Sequence, residues 1–291
     1  MIKEKKDGVL YVVATPIGNL NDITLRALDI LKTVDVILAE DTRVTAKLLS
    51  HYGVSKRLIS YHHHNEKKRL DEIENYLIKG QSIALVSDAG TPLISDPGYM
   101  IVNYLREKHY SVIPLPGASA VITAISASGL KTDQFQFVGF LSSKQKTKET
   151  QLSQIKTYVG TSILYESPHR LIETLKMIAS LFGTHDQITL AKELTKQHEH
   201  FIKGSATEIL DWINEDRLRL KGEFVILIES AVDEDKNTNS EFDQQVIDAL
   251  KIMLKELPLK QAVAITAKLF NQKKNKLYNY ALSLTNEKES S

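Results

Sequence analysis

Eight short runs of apolar, largely β-branched residues punctuate the chain, at residues 9–14, 36–40, 83–87, 112–115, 135–140, 163–166, 188–191 and 224–229. Their apolar character is continuous rather than alternating, which predicts strands covered on both faces. Segments of helical period lie between most of them. Ile23, Ala27, Ile30, Leu31 and Val34 fall on one face of such a segment, with Asp22 placed as its N-cap. Strands alternating with helices predict an α/β protein with largely parallel sheets.

Eight strands are too widely spread for one sheet. The apolar pattern breaks at Ser128-Gly129-Leu130-Lys131-Thr132 before a new strand begins. This divides the chain into an N-terminal α/β domain at residues 1–130 and a second α/β domain at 131–232. Residues 231–240, AVDEDKNTNS, are polar and linker-like. A helical module at 241–285 follows, with helices near 242–257, 259–270 and 274–284, the first two separated by Pro258. Ala262, Ile265 and Leu269, then Leu277, Tyr280 and Leu284, give these helices apolar faces. Residues 251–284 hold seven lysines and one acidic residue. The module therefore reads either as a helical cap or as a helix-turn-helix-like unit touching phosphates through Lys273, Lys274 and Lys276.

Composition narrows the chemistry. The 291 residues suit two domains and an appendage, and 42% hydrophobic with 25% charged residues is an ordinary globular balance. The absence of cysteine excludes disulfides, zinc–thiolate sites, cysteine-ligated clusters and thiol nucleophiles. No apolar run reaches the roughly eighteen residues a bilayer crossing needs. The charged start, Met1-Ile2-Lys3-Glu4-Lys5-Lys6-Asp7, makes a poor signal peptide. A soluble, cytoplasmic protein without membrane contact is expected. A net charge of +1 means that any nucleic-acid contact must rest on local patches.

In open α/β sheets ligands collect beyond the carboxyl ends of strands. Four loops rich in turn residues stand there: Ala14-Thr15-Pro16-Ile17-Gly18-Asn19-Leu20, the segment 87–99 (SDAGTPLISDPGY), Pro114-Leu115-Pro116-Gly117-Ala118-Ser119-Ala120, and Tyr165-Glu166-Ser167-Pro168-His169-Arg170. Glycine admits close backbone approach and proline fixes a turn, so together they form a rigid rim of backbone groups. No P-loop, no G-x-G-x-x-G after the first strand and no G-x-S-x-G is present, which disfavours NTPase, ordinary dinucleotide-binding and hydrolase readings.

Together with Asn21-Asp22-Ile23-Thr24, Ala39-Glu40-Asp41-Thr42-Arg43, Lys192-Glu193-Leu194-Thr195-Lys196 and Lys221-Gly222-Glu223-Phe224-Val225, these segments resemble the bacterial ribosomal RNA small subunit methyltransferase I family, in order from Leu10 to about Ser230. The resemblance implies two α/β domains of the tetrapyrrole-methylase type with a cleft between them. It implies S-adenosylmethionine as cofactor and 2′-O-methylation of a cytidine in the decoding region of 16S ribosomal RNA. It also implies the small ribosomal subunit as partner, and a homodimer. One departure stands out. The family often has proline and arginine after the Phe-Leu pair that here is Phe140-Leu141, and this chain has Ser142-Ser143-Lys144-Gln145-Lys146. The charge persists, but arginine's forked donors do not.

By motif match, Thr15, Pro16, Ile17 and Gly18 form one wall for the cofactor. Asp88, Gly90 and Thr91 form another, with Ser119 and Ala120 nearby; Tyr165, Lys192, Gly222 and Glu223 come from the second domain. Asp88 also reads as a turn brace or N-cap, and the glycines as turn geometry. A ribose hydroxyl needs an acceptor for its proton. Glu166, His169 and Glu193 are the candidates, and the sequence does not choose among them. Arg43, Arg170, Lys196, Lys144, Lys146 and Lys148 are the candidate RNA contacts, the last three also reading as a solvated face. Consecutive His62, His63 and His64 project in different directions and make no ready metal site, so no metal is expected. Two rivals remain: the same fold methylating a small tetrapyrrole, and a non-catalytic ribosome assembly factor.

Overall fold

The computed structural model describes residues 8–183, 186–230, 242 and 244–289. The predicted linker at 231–240 and the charged start at 1–7 lie outside the described residues.

The first half is a doubly covered parallel sheet. Its elements run β1 (Val9–Val13), α1 (Leu25–Thr33), β2 (Val36–Ala39), α2 (Thr42–His51), β3 (Arg57–Ser60), α3 (Glu66–Ile78), β4 (Ile83–Val86), α4 (Tyr99–Glu107) and β5 (Ser111–Leu115). The strand order is β3-β2-β4-β1-β5, and every pairing is parallel. Alternate residues of one strand feed opposite layers. Leu38 packs with Leu85, Ile73, Leu77, Ile101 and Leu105, whereas its neighbour Ile37 packs with Ala84, Ala27, Leu31 and Leu49. That two-sided burial is why these strands read as unbroken apolar runs.

The second half follows α5 (Ala120–Ala127). It runs β6 (Phe135–Phe140), α6 (Gln145–Lys156), β7 (Thr161–Glu166), α7 (Pro168–Leu181), β8 (Gln187–Lys192), β9 (His200–Gly204), α8 (Ala206–Glu215) and β10 (Phe224–Glu229), in the sheet order β6-β7-β10-β8-β9. Only β6 and β7 are parallel; the other pairings are antiparallel, so the expectation of largely parallel sheets fails here. One face carries α6, α7 and α8. The other receives Val121, Ala124 and Ile125 of α5 together with Ile17 and Leu194. Helix α5, encoded before residue 130, thus packs on the second sheet, and residues up to Ser230 form one compact unit.

The two strands missing from the eight expected runs are β3 and β9, both at sheet edges. Edge strands lack two-sided burial, and RLIS and HFIKG are accordingly too polar to stand out. The α1 N-cap is Thr24, whose hydroxyl accepts from Ala27 N at 3.1 Å, rather than Asp22, which ends a preceding 3-10 turn.

The C-terminal unit consists of α9 (Gln244–Glu256), α10 (Leu259–Leu269) and α11 (Lys274–Glu289) around Phe242, Val246, Leu250, Val263, Leu277 and Ala281. Lys273, Lys274 and Lys276 are exposed where α11 begins.

Candidate active site

The loops after β1 and β4 are joined directly. Thr15 N donates to Gly90 O and Gly90 N donates to Thr15 O, each at 2.9 Å, while the buried Thr15 hydroxyl donates to Ser87 O at 3.1 Å. Gly90 has φ +80°, and a Cβ there would approach Ile17 to 3.3 Å. Beyond Gly90 the chain is strained: Leu93 and Ser95 hold φ of 75° and 69°. Left-handed non-glycine residues cost on the order of 1–3 kcal/mol each and collect at functional sites. The far end of this loop is anchored by buried Glu66, whose Oε1 accepts from Gly98 N at 2.7 Å, at the start of α4.

A matching segment follows β8, where Glu193 and Thr195 hold φ of 51° and 64°. Glu193 Oε1 accepts from Glu223 N and from Lys196 Nζ, both at 2.9 Å. Gly222, at φ +107°, makes this possible, since a Cβ there would lie 2.5 Å from the Glu193 carboxyl carbon. Gly18 meets the same segment: its Cβ would lie 2.6 Å from Lys196 Cγ and 2.9 Å from Leu194 O.

These loops enclose a cavity of about 380 Å³. Ile17, Gly90, Thr91, Ser119, Ala120, Tyr165 and Glu223 line it, as expected from the motifs, as does Glu166. Thr15, Pro16, Gly18, Asp88, Lys192 and Gly222 do not, although Thr15, Gly18, Asp88 and Gly222 touch the loops that do. Asp88 Oδ1 accepts from Asp41 N at 3.0 Å, bracing the turn into α2. The motifs did not single out Ile94, Asp96, Phe140, Leu194 or Phe224, all of which face the cavity.

The proton-acceptor candidates fare unequally. Glu166 is buried with both oxygens engaged: Oε1 accepts from Ser167 N at 2.8 Å and Oε2 from the Thr174 hydroxyl at 2.7 Å, with Arg170 Nε 3.4 Å from Oε1. Burial opposes ionisation of Glu193, but Lys196 and the Glu223 N–H outweigh it and hold its pKa below the ordinary value. Both oxygens of Glu166 are thus occupied, and one of Glu193. His169 is outside the lining. Asp96 lines the cavity and is unlike the other carboxylates there. Burial, with Glu40 next, pushes its carboxyl up to about 6. Glu40 is itself raised, by burial and by Asp88. Burial, assisted by Asp96, likewise raises the Tyr165 phenol to about 12, so it stays neutral.

Several expected RNA contacts are engaged elsewhere. Lys148 is only 1% exposed, and its ammonium donates to Glu173 Oε1 at 2.9 Å. It falls at the same helical spacing as buried Leu152 and Ile155, i, i+4, i+7, a signal that its alternating lysine neighbours obscured. Arg170 Nη2 donates to Leu141 O at 2.6 Å and Ser142 O at 3.2 Å, stapling the end of β6 to α7. Lys196 bridges Glu193 and Glu223. Arg43 is 87% exposed and paired with Asp41. Lys144 and Lys146 are exposed at the start of α6. Among the described residues no cluster of three or more His, Asp or Glu side chains is placed to hold a metal ion.

The family model for Tetrapyrrole (Corrin/Porphyrin) Methylases matches residues 9–210, and that for an RsmI C-terminal HTH domain matches residues 240–285. The chain is 46% identical over 276 residues to the ribosomal RNA small subunit methyltransferase I of Haemophilus influenzae, covering 95% of this chain and 97% of that protein. It is 45% identical over 278 residues to the Synechocystis protein of the same name, covering 95% and 98%. Among solved structures, a diphthine synthase superposes with a TM-score of 0.60 at 15% identity, covering 77% of this chain and 90% of that one. The uroporphyrin-III C-methyltransferase of Thermus thermophilus complexed with S-adenyl homocysteine gives 0.52 at 18%, covering 76% and 97%. These structural likenesses establish a shared fold.

Proposed function

Because the chain belongs to the tetrapyrrole methylase family and, within it, to the ribosomal RNA small subunit methyltransferases I, we propose that it methylates the ribose 2′-hydroxyl of a cytidine in the decoding region of 16S ribosomal RNA. It is an S-adenosylmethionine-dependent rRNA methyltransferase. The acceptor is RNA, taken in the small ribosomal subunit by a homodimer in the cytoplasm. No helix among the described residues is long and apolar enough to cross a membrane.

One observation carries the reading: among the described residues, every charged side chain lining the cavity is acidic, Asp96, Glu166 and Glu223, and no lysine, arginine or histidine faces it. Such a site tolerates a sulfonium cation. Its volume lies within the range of small-ligand pockets. Ile17, Leu194, Phe224 and Val225 offer apolar walls, and the Gly90-Thr91 and Ser119-Ala120 turns offer backbone groups.

S-adenosylmethionine, when bound, supplies an electrophilic methyl group. The chain's own part is to orient the acceptor hydroxyl in line and take its proton. Effective-molarity effects make orientation worth several orders of magnitude. Asp96 takes the proton: with a pKa of about 6 it is ionised at neutral pH yet more basic than an ordinary carboxylate. Glu166 is bound at both oxygens and instead fixes the start of α7, where Ser167 and Pro168 complete the lining.

The test is transfer of tritiated methyl to small subunits from cells lacking the protein, with a porphyrinoid offered in parallel. Mass spectrometry of the RNA should find one new ribose methyl on a cytidine. Label in the porphyrinoid but not the RNA would overturn the reading. Failure to bind S-adenosylmethionine in calorimetry would favour a non-catalytic assembly factor.

A further inference from the structure

Strand β6 contains a bulge that changes which side chains face the cavity. Phe137 pairs with Ile163 and Phe140 with Tyr165, but the register slips between them, because Gly139 pairs with Leu164. In a regular strand, residues three apart point to opposite faces. The extra residue, Val138, restores parity, so Phe137 and Phe140 both join the face of Ile163 and Tyr165. The rings bear this out: Tyr165 meets Phe137 edge-on at 4.9 Å and Phe140 at 5.6 Å. Gly139 takes φ +75° to make the bulge, and a Cβ there would sit 3.4 Å from Ser95 Oγ, so the strained first-half loop lies across it.

Phe140 lines the cavity and is still 52% exposed. Ile94, from the opposite loop, also lines the cavity and is exposed. The same segment continues into exposed Lys144 and Lys146. An apolar ring at the mouth of a catalytic pocket, held edge-on by a second ring and followed by cations, has the chemistry of a stacking platform for a base whose phosphates lie alongside.

We propose that Phe140 stacks on the target pyrimidine, turned out of the RNA strand, with Ile94 closing the other side, so that the attached ribose is presented to Asp96. This rests on the rRNA reading above. Turning a nucleotide out into a pocket is the usual solution when chemistry cannot proceed within a stack.

The test uses F140A, F140L and F140W. Stacking is worth roughly 5- to 150-fold per base. F140A should therefore raise the KM for unmodified small subunits by at least about fivefold, F140L should rescue only partly, and F140W should return it to near the wild-type value. The affinity for S-adenosylmethionine, by calorimetry, should change by less than the KM for RNA does in all three. In a W212F background, which removes the only native tryptophan, the indole emission of F140W should be quenched by cytidine 5′-monophosphate. Emission that stays unquenched, or a loss in F140A confined to S-adenosylmethionine affinity, would overturn the proposal, the latter assigning the ring to the cofactor. Wild-type protein that labels no RNA would sink the rRNA reading instead, and the quenching measurement would still decide whether the ring stacks on a pyrimidine.

Discussion

The contact between Gly18 and the segment after β8 can be probed with one methyl group. In Gly18→Ala the new Cβ would lie 2.6 Å from Lys196 Cγ, 2.8 Å from Thr195 Oγ1 and 2.9 Å from Leu194 O. Ordinary carbon contacts begin near roughly 3.5 Å. Lys196 could swing aside, but Leu194 O is backbone, and Thr195 is held in a left-handed conformation. Crowding of this kind costs about 1–3 kcal/mol. Two outlets exist for that strain. If the segment stays in place, stability falls, by about 2–4 °C in Tm per kcal/mol for a chain of this size. If it moves away, the Leu194 wall goes with it, and S-adenosylmethionine affinity falls by up to about 5- to 150-fold, at about 1.4 kcal/mol per factor of ten. Differential scanning fluorimetry and calorimetry together capture both. Gly53→Ala is the control: at φ +66° with nothing within 4 Å of its Cβ, it incurs conformational strain alone and should leave cofactor binding untouched. A Gly18→Ala protein that melts and binds like wild type would refute the reasoning.

Other consequences follow from individual side chains. Asp96 has a folded pKa of about 6, above its unfolded value, so the folded chain retains a proton that the unfolded chain has lost. Stability should therefore fall as pH rises from about 4 to about 6, and Asp96→Asn should melt higher than wild type at about pH 8 but alike at about pH 4. The same variant should lose the rate limb that rises through about pH 6, and about 10²-fold or more in kcat, read from a pH–rate profile. Thr174→Val leaves the buried Glu166 Oε2 without its donor and should cost about 1–3 kcal/mol in urea unfolding with the pH–rate limb unchanged; a shifted limb would return Glu166 to candidacy as the base. Lys144→Ala with Lys146→Ala should lower the salt slope of RNA binding by about one per lysine, whereas Lys148→Ala should lower Tm and leave that slope alone.

The layering was legible because two-sided burial writes unbroken apolar runs, as at Val36–Ala39 and Ile83–Val86. The edge strands were not, since Arg57–Ser60 and His200–Gly204 answer to one neighbour each. In the site, glycine and proline turns marked Ile17, Gly90 and Thr91 because backbone shape is encoded locally. Asp96 was hidden because its basicity comes from burial and from Glu40, both properties of the assembled fold. Phe140 was hidden because its direction depends on a one-residue slip in pairing that no periodicity reveals. Lys148 was misread for the opposite reason: charge suggested a surface, while burial and Glu173 had already claimed its ammonium; for Arg170 nothing in the sequence signalled that Nη2 reaches the carbonyls of Leu141 and Ser142.

The double hydrogen bond between Thr15 and Gly90 couples the β1 and β4 loops, so that displacing either one costs the other its backbone partner. The 193–199 segment, which contributes Leu194 to the lining, is joined to the same assembly where Asn19 N donates to the Thr195 hydroxyl at 3.1 Å.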